Sequence, residues 1–360
     1  MRHLGAVGKV VALYLGAVIG AGFASGQEIL QFFVLFGPRA LPGTLLATVL
    51  FAYLGAVVLG TATGLQSTGY RGVIDRFLGP RLGTVMDVVS LVVLFGGLGV
   101  MLAGSGAVVH QQFGLPPAAG VLGLAVLTSL VIYRGLAGVI EVNAVIVPVK
   151  VITVAGICLG TLLCGRGAAP AAVGEAVPGG GCWWMAAILY VSYNLIIPVA
   201  VLASVGRTVP RAAGVAGALA GGLILGGTAA LMVAALAAHV PGTGVAPVPM
   251  LYLAGMIHPA LAGIASVIIW LAIFTTAVAE AHGLAARLAP PGTARYRLYG
   301  IGAVLAALPA TCAGFPELVR LFYPLFGYAG LLLLVPLSLT PLAGIWRRTK
   351  KTYRYGRWPG

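Results

Sequence analysis

Charged side chains are scarce in this 360-residue sequence. Asp, Glu, Lys and Arg together make up 8% of the residues, and Asp and Glu number only seven. A soluble domain carries about 25% charged residues. Hydrophobic residues account for 60% of the chain, and the mean hydropathy is +1.06. This composition excludes an ordinary soluble protein and predicts a polytopic membrane protein.

Sequence signals of catalysis and of metal binding are also missing. The four cysteines form no CxxC pair and have no metal-ligand spacing, so we interpret them as small apolar residues. No HExxH motif, GxSxG motif, phosphate-binding loop or repeated channel filter is present. We therefore expect a protein that is not an enzyme and that binds no cofactor.

The net charge of +14 would suggest a nucleic-acid partner in a soluble protein. Here most of the cations lie in alternate predicted loops, at the N-terminus and in a basic tail, 347–360. The positive-inside rule then predicts that both termini are cytoplasmic. We expect the tail to rest against anionic lipid, with the bilayer as a partner and with neither nucleic acid nor an obligate protein partner.

Apolar length and loop punctuation predict ten membrane spans. They lie near residues 8–36, 41–65, 83–112, 117–133, 139–165, 183–205, 212–238, 259–287, 297–314 and 317–346. The segment from Pro247 to Pro259 is too short for a span, and we interpret it as a re-entrant or surface helix.

The spans divide into two halves around a Gly-, Ala- and Pro-rich connection, 166–182, predicted to be extracytoplasmic. Five spans precede it, in 8–165, and five follow it, in 183–346. An odd number of spans in each half forces the halves into opposite orientations, which is the arrangement of an inverted repeat. We therefore predict one transmembrane transport domain, 1–360, built from two inverted five-helix repeats.

The first span contains an unusual cluster, from Gly16 to Glu28, of glycines followed by polar residues. Glycine weakens a helix interior by about 1 kcal/mol, and a charge at the bilayer centre costs at least ~2.5 kcal/mol. We interpret the cluster as a broken helix that lines a cavity. A signal-peptidase site and a close-packing GxxxG face are the alternatives.

Span six shows a second candidate break. Ser192, Tyr193 and Asn194 precede Pro198, whose missing N–H frees a carbonyl about one turn earlier. The alternative is a plain proline kink that Ser192 satisfies.

The segments Gly20-Ala-Gly-Phe-Ala-Ser-Gly-Gln-Glu28 and Tyr190-Val-Ser-Tyr-Asn194 resemble the YkvI-like bacterial membrane proteins, a family proposed to be amino acid permeases. That family is similar to the amino acid–polyamine–organocation superfamily, with the LeuT-type fold. The resemblance implies an all-α protein of the bacterial cytoplasmic (inner) membrane with discontinuous spans one and six. It also implies a central site between those spans, walled by spans three and eight.

The resemblance implies two sets of site residues. Exposed amides of the first break would receive a substrate carboxylate, and the candidate substrate-binding residues are Gly20, Ala21, Gly22, Phe23, Ser25, Tyr193 and Asn194. Sodium-coupled members of the fold place ion ligands at the positions of Gly16, Ile19, Thr275 and Thr276. Hydroxyls such as those of Thr275 and Thr276 are otherwise often bonded back to their own helix.

Lys150 favours the proton, rather than sodium, as the coupling ion. It lies about ten residues, or ~15 Å, into span five, and a lysine buried at that depth can bind and release a proton. The spacing from Asn143 to Lys150 resembles superfamily members in which the ammonium replaces the ion. An ion pair with Glu28 or Glu280 is the alternative, so coupling to H⁺ and coupling to Na⁺ both remain open.

Glu28 and Glu280 complete the candidate coupling residues. Glu280 lies one turn after Thr276 on the same helix face, whereas Glu28 follows the first break. Each carboxylate is a candidate for binding a substrate amino group or for relaying protons, and helix capping is the alternative for Glu28.

These features favour a secondary active transporter of amino acids or related small zwitterionic solutes, a permease or symporter that works by alternating access. The alternative is a membrane solute sensor on the same fold that binds a solute without transporting it.

Overall fold

The computed structural model describes residues 2–66, 70–134, 139–164 and 181–354, and every regular element within these ranges is helical. The first half contains α1 (Arg2–Val18), α2 (Ala21–Ser25), α3 (Gln27–Phe32), α4 (Ala40–Gly64), α5 (Tyr70–Phe113), α6 (Pro117–Arg134) and α7 (Val139–Cys164). The second half contains α8 (Trp183–Ile196), α9 (Pro198–Ser204), α10 (Arg211–Ala237), α11 (Val240–Thr243), α12 (Pro249–Ile257), α13 (Pro259–Leu288), α14 (Ala294–Ala307) and α15 (Phe315–Arg354). Short 3₁₀ segments, Val34–Arg39 and Leu308–Ala313, precede α4 and follow α14.

The helices match the ten predicted spans. Within the described ranges, seven helices are long and apolar enough to cross a membrane unaided, and α8 with α9 forms an eighth, bent span. The other two are the broken series α1–α3 and the short helix α14, whose 14 residues are extended by the 3₁₀ segment. Helix α12 has nine residues, or ~14 Å at 1.5 Å per residue, which confirms the predicted short helix.

Two helix boundaries differ from the predictions. Helix α5 begins at Tyr70, and Gly79, with φ +75°, bends its first two turns away from the span that starts at Arg81. Helix α15 continues through Arg354, so the backbone of the tail is helical up to that residue. Residues 166–180 of the predicted connection and 355–360 of the tail lie outside the described residues, and the predicted division into repeats stays a prediction.

The helices pack in two groups. Helices α1, α4, α8, α9 and α10 contact one another and correspond to spans one, two, six and seven. Helices α5, α6, α13 and α14, which are spans three, four, eight and nine, form the second group.

Small residues bring the helices of each group into close contact. A Cβ at Gly222 of α10 would lie 2.5 Å from the backbone of Ala52 in α4, and one at Gly120 of α6 would lie 2.5 Å from the Ser105 carbonyl of α5. Close backbone approach of this kind is how helices associate in lipid, and it explains the high glycine content.

Candidate functional site

The first span is interrupted at two points. Helix α1 ends at Val18, and Gly20 is extended, with φ −83° and ψ −168°, before α2 begins at Ala21. The second interruption is Gly26, in the left-handed region at φ +84°, which favours glycine because it has no Cβ. A Cβ at Gly26 would also lie 2.9 Å from Met250 of α12.

The predicted break is thus confirmed but is shorter than expected. Ala21 and Gly22, predicted to be unwound with Gly20, are the first residues of α2. The Ser25 hydroxyl donates to the Gly22 carbonyl at 2.8 Å, a local bond that holds the five-residue helix together. The serine, predicted to contact the solute, is engaged in its own helix and does not line the cavity described below.

The sixth span bends by 47° between α8 and α9, and Pro198 begins the second helix. Ser192 is not the residue that satisfies this kink, because its hydroxyl donates to the Gly327 carbonyl of α15 at 2.8 Å. The Asn194 amide donates to the Tyr190 carbonyl at 3.1 Å. The alternative interpretation of this segment, a proline kink satisfied by Ser192, is therefore wrong.

A cavity of about 100 Å³ lies between the two broken spans. The predicted site residues that line it are Gly20, Ala21, Gly22, Glu28, Tyr193, Asn194, Thr276 and Glu280. Helices α5 and α13 form further walls, as the resemblance implied. Of the described residues that line this cavity, none is Lys, Arg or His.

Two buried carboxylates face this cavity, each against a glycine. A Cβ at Gly22 would overlap the Glu28 carboxylate, and a Cβ at Gly97 of α5 would overlap that of Glu280. Glu28 is 4% exposed and Glu280 is 8% exposed, and one Oε atom of each has no hydrogen-bond partner among the described residues. Burying an unpaired carboxylate is costly, so these oxygens are available to a proton, a cation or a donor group.

Tyrosines extend the polar surface around the carboxylates. The Glu28 carboxylate points toward Tyr193 and Asn194. The Tyr193 hydroxyl faces Glu28, and its ring packs on Tyr323 with centroids 4.9 Å apart. Tyr323 is within electrostatic range of both Glu28 and Glu280.

Lys150 lies outside the cavity, at the first break. Its side chain is 2% exposed, and Nζ donates to the Ile19 carbonyl at 2.8 Å. Ile19 is one of the four residues that the resemblance assigns to the coupling ion, and among the described residues it is the one of the four that Lys150 bonds. The ammonium is bonded to this carbonyl rather than paired with Glu28 or Glu280. The side chain of Asn143 lies outside the described residues.

The remaining candidate site residues make contacts within or between helices and not with the cavity, except for Thr276 at its wall. Both Thr275 and Thr276 donate to the Ala272 carbonyl, at 3.1 and 2.8 Å, which is the local alternative named above. Gly16 faces Val147 of α7, 3.2 Å from the position of its Cβ. Phe23 is 1% exposed and is absent from the cavity wall.

Sequence reasoning missed the contribution of span ten and part of span three. Tyr323 and Phe326 of α15 line the cavity, as do Gly97 and Met101 of α5. Two sequence features could have indicated these cavity-lining residues: a tyrosine beside a proline within the span, in Tyr323-Pro324, and the glycine-rich run Gly96-Gly-Leu-Gly99.

Helix α12 and the segment before it, residues 246–257, lie against the broken first span. We call these residues the cover. The Gln111 side chain bonds both the N–H and the carbonyl of Val248, at 2.8 and 3.1 Å. The Gln27 amide donates to the Pro247 carbonyl at 3.2 Å. The cover is thus held by two glutamines from different spans.

The sequence has two curated relatives in Bacillus subtilis (strain 168). The uncharacterized protein YyaD is 30% identical over 351 residues, which cover 94% of this chain and 98% of YyaD. The chain belongs to the YkvI-like family of membrane proteins. The uncharacterized membrane protein YkvI is 28% identical over 331 residues, which cover 91% of this YkvI-like chain and 94% of YkvI. No family model matches the sequence.

Two solved structures show the fold of the YkvI-like chain. The inward-facing conformation of Mhp1 matches with a TM-score of 0.57 and 15% identity, covering 89% of this chain and 72% of Mhp1. A manganese transporter mutant of Eremococcus coleocola matches with a TM-score of 0.55 and 14% identity, covering 93% and 78%. These matches confirm the predicted all-α, LeuT-type fold.

Proposed function

We propose that this protein is a secondary active transporter of amino acids or related small zwitterionic solutes, working by alternating access. The observation that carries the proposal is the cavity between the two broken spans, with two buried carboxylates at its wall that each keep one oxygen without a hydrogen-bond partner among the described residues. Ionisable residues at membrane depth are expensive, and they mark substrate and ion pathways.

The carboxylates of Glu28 and Glu280 bind the amino group of the solute in this proposal. Both lie at the cavity wall, and an ammonium would supply the hydrogen bonds and the charge that their free oxygens lack. Tyr193 and Asn194, beside Glu28, add a hydroxyl and an amide that distinguish among amines by their substituents.

The solute carboxylate would lie at the first break, near the backbone of Gly20. Glu28 already rests against Gly22, so a second anion placed there would be repelled unless an ammonium lies between the two. Recognition therefore depends more on the amino group than on the carboxylate.

Protons drive transport in this proposal, with Lys150 in the place of a coupling ion. The ammonium already bonds the Ile19 carbonyl, and the Thr275 and Thr276 hydroxyls are directed at Ala272. A sodium ion beside a charged lysine would be repelled strongly in a low-dielectric interior. Deprotonation of Lys150 would weaken its bond to the Ile19 carbonyl, because a neutral amine is a poorer donor than an ammonium, and would couple proton movement to the change of conformation.

The test is uptake of labelled amino acids by liposomes that contain the purified protein, with H⁺ and Na⁺ gradients imposed separately. We expect accumulation driven by the proton gradient in the absence of sodium, and none in protein-free liposomes. A strict sodium requirement would contradict the assigned coupling. Binding of a solute without uptake under either gradient would contradict transport and favour the sensor.

A further inference from the structure

A second cavity, of about 500 Å³, shares no lining residue with the first one. It lies between the last turns of α4, the first turns of α5 and the start of α10, and we call it the arginine pocket. Its walls are mostly apolar and run along α4 from Tyr53 to Leu65, with Phe77 of α5 opposite. Two arginines, Arg76 and Arg211, stand among them.

Within the described part of the chain, the two guanidiniums have no carboxylate beside them in the pocket. Both side chains are exposed, and no Asp or Glu lines the described part of the pocket. The nearest acid in sequence is Asp75, whose carboxylate lies against Gly83, 2.7 Å from the position of that glycine's Cβ. The whole chain has only seven acids. A pair of free guanidiniums at a cavity mouth is suited to a phosphate group, which accepts bidentate hydrogen bonds.

The shape of the pocket suits a phosphate that carries an acyl chain. The wall from Tyr53 to Leu65 spans twelve residue steps of α4, or ~18 Å at 1.5 Å per residue. It passes Val57, Gly60 and Gly64, and Leu65 at its end is 48% exposed. At its inner end the Tyr53 hydroxyl donates to the Ser338 carbonyl of α15 at 3.1 Å. A free phosphate would contact only the mouth and leave this apolar wall uncovered.

We infer that the arginine pocket binds an anionic phospholipid, with its phosphate between Arg76 and Arg211 and an acyl chain along α4. The pocket lies where helices end among arginine-rich loops, and basic pockets between membrane helices at such a face bind anionic head groups. Arg76 and Phe77 belong to the part of α5 before the bend at Gly79, whereas α4 and α10 belong to the first helix group. The lipid therefore ties the segment before the third span to α4 and α10 at this face of the membrane.

The test is native mass spectrometry and thermal unfolding of the purified protein in detergent, with phosphatidylglycerol, phosphatidylcholine or inorganic phosphate added. We expect phosphatidylglycerol alone to stay bound and to raise the unfolding midpoint. Each arginine attracts the anionic head group and so strengthens lipid binding. Removing both, in the double variant Arg76→Gln with Arg211→Gln, should weaken phosphatidylglycerol binding about 30-fold. The matched control is Arg207→Gln, an exposed arginine beside but outside the pocket, which should bind as the unmodified protein does.

Three outcomes would overturn the inference. Equal binding of phosphatidylcholine, whose phosphate is balanced by a cationic choline, would show that the pocket does not require an anionic lipid. An equal stabilisation by inorganic phosphate would identify a soluble anion as the ligand. Equal weakening of lipid binding by Arg207→Gln would indicate that general surface charge, and not this pocket, attracts the lipid. If the double variant does not fold, Arg76→Lys serves instead, with reduced but measurable binding expected because an ammonium cannot form the bidentate contact.

Discussion

At the scale of single residues, two glycines make room for the two cavity carboxylates. Cβ atoms at Gly22 and Gly97 would overlap Glu28 and Glu280. Because each overlap involves the end of a flexible side chain, the carboxylate rather than the backbone must move. The two glycines therefore control where the negative charges lie.

We predict that Gly22→Ala and Gly97→Ala each lower solute affinity by about 10–100-fold, the cost of one hydrogen bond to a charged group. Their unfolding midpoints should stay close to that of the unmodified protein, since the helix geometry is unchanged. The measurement is solute binding and thermal unfolding of the purified variants.

The control for this pair is Gly123→Ala in α6, where no atom lies within 4 Å of the position of the Cβ. If all three variants bind equally well, the positions of the two carboxylates do not matter for the solute.

Lys150 supports a second prediction at this scale. Lys150→Met keeps the buried apolar stem and removes the ammonium, so the Ile19 carbonyl loses its bond at a cost of about 1–3 kcal/mol. We expect expression to persist and proton-driven uptake in liposomes to be abolished. Proton-driven uptake at the unmodified rate would remove Lys150 from the coupling mechanism.

At the scale of elements, the cover depends on Gln111, which makes two bonds to Val248. We predict that Gln111→Ala accelerates amide hydrogen exchange in residues 246–257 by about 10–100-fold, since each lost bond lowers the opening free energy by about 1 kcal/mol. Exchange in α10 should not change.

Gln66→Ala is the matched control for the cover, because the Gln66 side chain bonds the Thr63 carbonyl of its own helix end. Equal exchange rates in the two variants would show that Gln111 does not hold the cover.

The breaks in spans one and six were predictable because glycine and proline act locally. Gly20 disrupts its helix through its own backbone, and Pro198 lacks an N–H. The details depended on neighbouring elements: Gly26 is shaped by contact with Met250, and Ser192 bonds a helix 135 residues away. Such partners have no signature in the local sequence.

At the scale of the whole molecule, apolar length located the spans because the bilayer sets a minimum helix length. Span nine was found although α14 alone has only 14 residues, since the 3₁₀ segment after it continues the apolar run. The cavity wall was less predictable. Tyr323 and Phe326 reach the site through the packing of α15 against α5 and α8, which periodicity within span ten does not specify.

In the proposed function, the cavity recognises a solute by its amino group, through Glu28 and Glu280. The most direct measurement compares three molecules on the purified protein by thermal unfolding: a bound amino acid, its N-acetyl derivative and its amide. A ligand raises the midpoint according to its concentration relative to its dissociation constant. We predict that the amide, which keeps the ammonium, still stabilises the protein and that the N-acetyl derivative does not. Stabilisation by the N-acetyl derivative and none by the amide would contradict the account.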